Sequence, residues 1–163
     1  MNHLRSFVLA CVLAAAAQSA AAGTIFLFIP GVPGESTDDG RRDWINLHSM
    51  QVGVENKVCS GVTVTKEIDL SSPVLSGAAL IGGAYPSMTL DVTTRGDRPQ
   101  TFLTYALANV TVTAVSATAS SGGVGVHETV MLSATTLTMT YRPTRNDGTQ
   151  GPPVVFTLNC TRK

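Results

Sequence analysis

Along most of this chain apolar and polar residues alternate one by one. In "SMTLDVTT", Met88, Leu90 and Val92 fall on one face and Ser87, Thr89, Asp91 and Thr93 on the other. That pattern predicts a half-buried β-strand. "VVFTLNC" repeats it, with Val154, Phe156, Leu158 and Cys160 on the apolar face. "GVTVTKEI" sets Val62, Val64 and Ile68 against Thr63, Thr65 and Glu67, and Lys66 interrupts its apolar side. The run "TIFLFI", Thr24 to Ile29, is apolar on both faces and predicts a central strand. Two longer segments, "TFLTYALANVTVTAVSATA" and "ETVMLSATTLTMTYRP", have the Thr, Val and Tyr content of strands. In the second the apolar set changes phase, from Val130 and Leu132 to Leu137, Met139 and Tyr141. Keeping one face inward through that change requires a bulge or a sharp bend near Ser133 to Thr136. Long strands that bend are what a closed or nearly closed barrel needs.

One segment breaks the alternation. In "SSPVLSGAALIGG", Ser72 is placed to cap a helix, Pro73 suits its first position, and Gly82 with Gly83 supplies the stop. Val74, Leu75, Ala78, Ala79 and Ile81 form a stripe that would cover one end of a barrel. Gly122-Gly123 and "NDGTQGPP" mark turns. No linker, internal repeat or low-complexity domain is visible.

The N-terminus reads differently. Residues 1–22 carry His3 and Arg5, then an apolar run from Phe7 to Ala17, then small residues ending at Ala22. This is the three-part pattern of a secretory signal peptide, with cleavage expected between Ala22 and Gly23. The apolar run is too short to span a bilayer, so no stable membrane insertion is expected. An uncleaved anchor, or a lipoprotein with lipid on Cys11, is the alternative reading of the same segment. Residues 23–163 suffice for one domain with a real core, secreted or periplasmic.

Lys and Arg number 11 and Asp and Glu number 11. Arg5 is the only formal charge in the leader, so the remainder stays within one charge of neutral. Without basic clusters, nucleic acid is not an expected partner. Cys11 lies in the leader, leaving Cys59 and Cys160. In an oxidising compartment such a pair reads either as a disulfide or as two separate buried thiols. The disulfide is the expectation carried forward.

Candidate chemistry is sparse. "IPGVPGESTDD" lacks the Lys and the spacing of a phosphate loop, and no G-x-S-x-G surrounds Ser36. It reads as a tight turn after a strand: Pro33 fixes φ, Gly31 and Gly34 give permissive backbone, and Glu35 with Ser36 can bond the turn's own amides. "HETVM" at His127 lacks the second histidine of a zinc-protease helix. His48 and His127 alone are too few for a histidine-rich metal site, and Asp38, Asp39 and Asp43 lack an EF-hand pattern. Asn109-Val110-Thr111 and Asn159-Cys160-Thr161 match the glycosylation sequon, which matters only on a eukaryotic secretory path. No cofactor, metal or catalytic residue is expected, and the chain is read as a non-enzyme.

Taken in order, several stretches resemble one family. "IFLFIPGVPGESTDD", "VTVTKEIDLSSPVL", "GGAYPSMTLDV", "LANVTVTAVS" and "LTMTYRPTRNDGTQGPP" are similar to the haemolysin-coregulated (Hcp) proteins of bacterial type VI secretion, across roughly Gly23 to Phe156. The matching motif positions are Gly31, Gly34, Glu35 and Ser36, then Lys66, Asp69, Ser72 and Pro73. The resemblance implies a mainly β fold, a tight barrel of two packed antiparallel sheets with one short α-helix. It implies a structural role for the G-E-S turn. It also implies a homo-hexameric ring, stacked rings, and passage of effector proteins with a spike component as partner. Two features depart from the family: the leader itself, and the segment "QVGVENKVCSG", shorter than the Gly-rich arm many members use between neighbours. The alternative function is a stand-alone secreted β-module that binds a protein or glycan without assembling.

Overall fold

The computed structural model describes residues 22–160, apart from 56–57 and 123–124. The expected leader therefore lies outside the described residues except for Ala22. Eight strands and one helix follow in the order β1 (Ala22–Phe28), β2 (Ile45–Leu47), β3 (Ser49–Glu55), β4 (Val58–Glu67), α1 (Ser72–Ile81), β5 (Ala84–Thr94), β6 (Thr101–Ala119), β7 (Val126–Tyr141) and β8 (Val154–Asn159). The segment expected to break the alternation is α1, and the two long Thr/Val-rich segments are β6 and β7.

All pairings are antiparallel, in the order β2-β1-β5-β6-β7-β4-β3, with β8 on β7. β2 pairs with β1 while β3 pairs with β4. The continuous segment 45–55 thus holds both ends of the sheet, and its bend at His48 draws them together. Leu27, Ile45, Val64, Leu75, Leu90, Val110 and Val130 are all fully buried inside the resulting barrel. β1 lies between β2 and β5, as its apolar faces predict.

The phase change in β7 is met by a bend that both long strands share. In β6, Leu107 and Val110 are buried, and their partners on β7 are Leu137 and Ala134. Between them Asn109 takes φ 48°, the left-handed region that Asn tolerates better than most residues. Its Nδ2 donates to Thr135 Oγ1 at 3.0 Å, and that hydroxyl donates to the Ala108 carbonyl at 3.2 Å. Both strands change face together, so register is kept there; it shifts only between Val112 and Ala114.

β4 and β8 occupy one edge of β7 in succession. β4 pairs with His127 to Leu132 and β8 with Thr136 to Tyr141. The bend at Thr135 separates them, and there the Cys160 amide donates to the Thr135 carbonyl.

The helix differs from expectation in two respects. Leu75 and Ala78 are buried, but Val74 and Ile81 are exposed, so the inward stripe runs through Ser72, Leu75 and Ala78. The N-cap is Ser71 rather than Ser72 and makes no side-chain capping bond, while the Ser72 hydroxyl donates to Glu128. Pro73 opens the first turn, and Gly82 ends the helix at φ 68°, where the Gly83 amide donates to the Ala78 carbonyl. Ile68 is exposed as well, since β4 ends at Glu67.

Candidate functional site

The Gly-Glu-Ser turn is built by backbone contacts. The Val32 amide donates to Ile29 O at 3.1 Å, and Gly31 sits at φ 78°, the positive value a Pro-Gly turn demands. Gly34 is needed for a different reason. A Cβ there would lie 2.4 Å from the Trp44 carbonyl oxygen, so only glycine allows the two backbones to approach. Gly34 N donates to Asp43 O, Ser36 N to Trp44 O, and Asp43 N to Ser36 O. Ser36 is buried and its hydroxyl accepts the Asp38 amide, whereas Glu35 points to solvent. The serine acts as a turn residue.

Arg41 ties this turn to the barrel. Its Nε donates to Asp91 Oδ2 at 3.0 Å and its Nη1 to Asp38 Oδ1 at 3.4 Å, and a third donor reaches the Thr101 hydroxyl. The guanidinium lies 5.1 Å from the Phe26 ring centre and 5.9 Å from that of Trp44. Asp91 also accepts from Thr104. Asp38 and Asp39 each pair with an arginine three residues on, so this acidic stretch is occupied by its own cations.

The second motif forms a buried ionic cluster. Lys66 shares the inward face of β4 with Val62 and Val64 and is 0% exposed. Its Nζ donates to Asp69 Oδ1, Ser72 Oγ and the Glu67 carbonyl, each at 2.8 Å, and lies 3.0 Å from Glu128 Oε2. Glu128 is its direct partner across the β4–β7 ladder and is itself buried. Ser72 Oγ donates to the same carboxylate at 2.9 Å, while Asp69 Oδ1 accepts the Ser71 amide. Every buried polar side-chain atom among the described residues has a partner. Charges taken out of water require such complete pairing. The cluster locks the loop before α1, and the first turn of the helix, onto β7. Pro73 completes that turn.

The "HET" stretch is thus divided by strand geometry. Glu128 faces in and serves Lys66, while His127 faces solvent. In the sequence Glu128 stands out only as part of an incomplete zinc motif. Its parity with Val130 and Leu132 was the available signal.

Cys59 and Cys160 meet sulfur to sulfur, with Cα atoms 5.0 Å apart and a sequence separation of 101. They join the start of β4 to the end of β8, across the gap those strands leave beside the β7 bend.

Large apolar side chains lie exposed at several points, Phe28, Val54, Ile68, Val126 and Met131 among them, and two groups are the most extended. Leu70, Val74, Leu80 and Ile81 stand on the outer side of α1 and its approach, Leu80 being 87% exposed. On β7 and β8, Tyr141, Val154, Val155 and Phe156 are uncovered, Phe156 being 56% exposed. The apolar face expected for β8 is therefore uncovered at Val154 and Phe156, while Cys160 at its end packs against the core. No described helix is long and apolar enough to cross a membrane.

Comparison with known proteins fits this arrangement. A family model described as "Type VI secretion system effector, Hcp" matches residues 26–141. A solved structure of a type six secretion system protein superposes with a TM-score of 0.77 at 25% identity, covering 80% of this chain and 91% of its own. Hcp1 from Salmonella typhimurium gives 0.76 at 27% identity, over 86% of this chain and 96% of that one. A type VI secretion system effector from Yersinia pestis shares the fold, with a TM-score of 0.72 at 24% identity over 83% and 98%. Comparison with curated proteins found no match. The matched span includes the Gly-Glu-Ser turn, the Lys66 cluster and both long strands, and the chain belongs to the Hcp family of type VI secretion proteins.

Proposed function

We propose that this chain is a structural, ring-forming Hcp protein, exported through a cleaved leader, that acts as conduit or carrier for effector proteins. The observation that carries the reading is the pair of exposed apolar patches. One lies on α1 and the other on β7–β8, on either side of the Thr135 bend. Two unlike patches on one small barrel suit a heterologous contact, which repeats from copy to copy until the rotation closes. Apolar groups left in water on a single copy are removed from it in the ring. Every polar cluster around the family motifs is satisfied within the fold, so no residue is assigned a catalytic role.

The same reading takes the Cys59–Cys160 contact as a disulfide, since an exported chain meets oxidising conditions. Light scattering on the exported protein is expected to give a hexameric mass, and negative-stain images to show annular particles, single or stacked. A monomer at all accessible concentrations would overturn the ring and leave a stand-alone binding module.

A further inference from the structure

The two histidines outside the leader lie far apart in the sequence, yet the fold brings them together with one carboxylate. His48 sits at the bend between β2 and β3, Glu67 ends β4, and His127 lies near the start of β7. One ligand atom from each residue lies within 4.8 Å of the others, and all three side chains are exposed. His48 Nε2 is 3.5 Å from Glu67 Oε1, and the two imidazole centres are 5.5 Å apart at 70°.

We propose that His48, Glu67 and His127 form a binding site for a divalent transition metal of the zinc class. Two imidazoles and a carboxylate are the donor set that such ions take, with hard ions such as calcium excluded by the nitrogen ligands. Bonds of about 2.0 to 2.2 Å around a tetrahedral ion separate neighbouring donors by roughly 3.3 Å. The His48–Glu67 distance already meets that spacing, and side-chain rotation on exposed rings brings in the remaining donor.

The backbone beneath the cluster is fixed. Glu67 and His127 are direct ladder partners, so both side chains emerge on the same outer face, opposite the Lys66–Glu128 pair. The His48 amide donates to the Thr65 carbonyl at 2.8 Å, which anchors the bend to β4. Gly125 beside Glu67 leaves the carboxylate clear, since even a Cβ there would stay 3.7 Å from its oxygen. Three protein donors leave at least one coordination position for water or for a donor from another molecule. A bound ion would clamp the bend that joins the two ends of the sheet to β4 and β7.

The experiment is a calorimetric titration of the untagged, chelator-treated full chain with zinc chloride. One zinc per chain is expected. His48→Ala and His127→Ala should each weaken binding at least ten-fold, the least expected when a direct ligand is lost. Glu67→Gln should weaken it in the same direction. Proton NMR on the wild-type chain should show both imidazoles shifting together as zinc is added. Because all three positions are exposed, the metal-free variants should unfold at the wild-type temperature, and a variant that does not is replaced by its His→Gln counterpart. Absence of zinc binding overturns the proposal, as does binding that survives both histidine substitutions. Neither result bears on ring assembly, which light scattering reads separately.

Discussion

Lys66 and Glu128 carry opposite charges into the barrel at the point where a strand ladder meets a helix start. Removing one partner of a buried pair leaves an uncompensated charge, which costs about 3 kcal/mol or more. Lys66→Met strips both Glu128 and Asp69 of their shared cation and should therefore lower the stability measured by urea unfolding by roughly 3 kcal/mol. Replacing all three charges, as Lys66→Met with Glu128→Gln and Asp69→Asn, should recover part of that loss, because no charge is then stranded beside Ser72. A second residue-scale expectation concerns Asp147. Its carboxylate accepts from the Thr149 hydroxyl and amide, which hold its pKa below the ordinary aspartate value. A depressed folded pKa contributes stability above the unfolded pKa and loses it as pH falls through the folded value. An NMR titration of Asp147 should place its midpoint below that of an unstructured aspartate, and Thr149→Val should raise it. Neither the lysine nor the glutamate was legible as a pair. Lys66 shows in the sequence as an interruption of the apolar positions Val62 and Val64 and as a family motif position, and nothing local connects it to a residue on β7. The two histidines were hidden for the same reason, since counting them gives no information about distance.

Strands were more legible than what covers them. Thr, Val and Tyr content located β6 at Thr101–Ala119 and the phase change located the β7 bend, because both signals lie within the segment itself. The cause of the bend lay on the neighbouring strand, at Asn109, where a sequence reading of β7 could not see it. Alternation likewise marks which face of β8 is apolar but not whether anything packs on it, and Phe156 stays exposed. The Cys59–Cys160 contact matters at this scale, since among the described residues β8 pairs with β7 alone and this contact ties its end to β4. Closing a loop of this length contributes at most about 4 to 5 kcal/mol through chain entropy. Thiol counting on protein unfolded without reductant should find no free thiol from this pair. Cys160→Ser should lower the urea midpoint, and reductant should do the same to the wild type but not to the variant. Two free thiols in unreduced protein would remove the bridge.

At the scale of the whole molecule the leader and the ring are read independently. Cleavage rests on the small residues ending at Ala22, and the intact mass of exported protein should correspond to a chain beginning at Gly23. Retention of Met1 would overturn it. The ring makes a sharper demand, because a heterologous interface joins patch to unlike patch. Leu80→Asp damages the α1 patch and Phe156→Asp damages the β8 patch, each by placing a carboxylate where apolar contact is needed. Either variant alone should be monomeric, since its remaining sound patch meets only damaged partners. Mixed together, the two should form dimers and stop there. The sound α1 patch of one variant can dock on the sound β8 patch of the other, but the outer patches of that pair are both damaged. Light scattering on the equimolar mixture should accordingly read twice the monomer mass. An unchanged monomer in the mixture, or a ring from either variant alone, would show that these two patches are not the faces that meet.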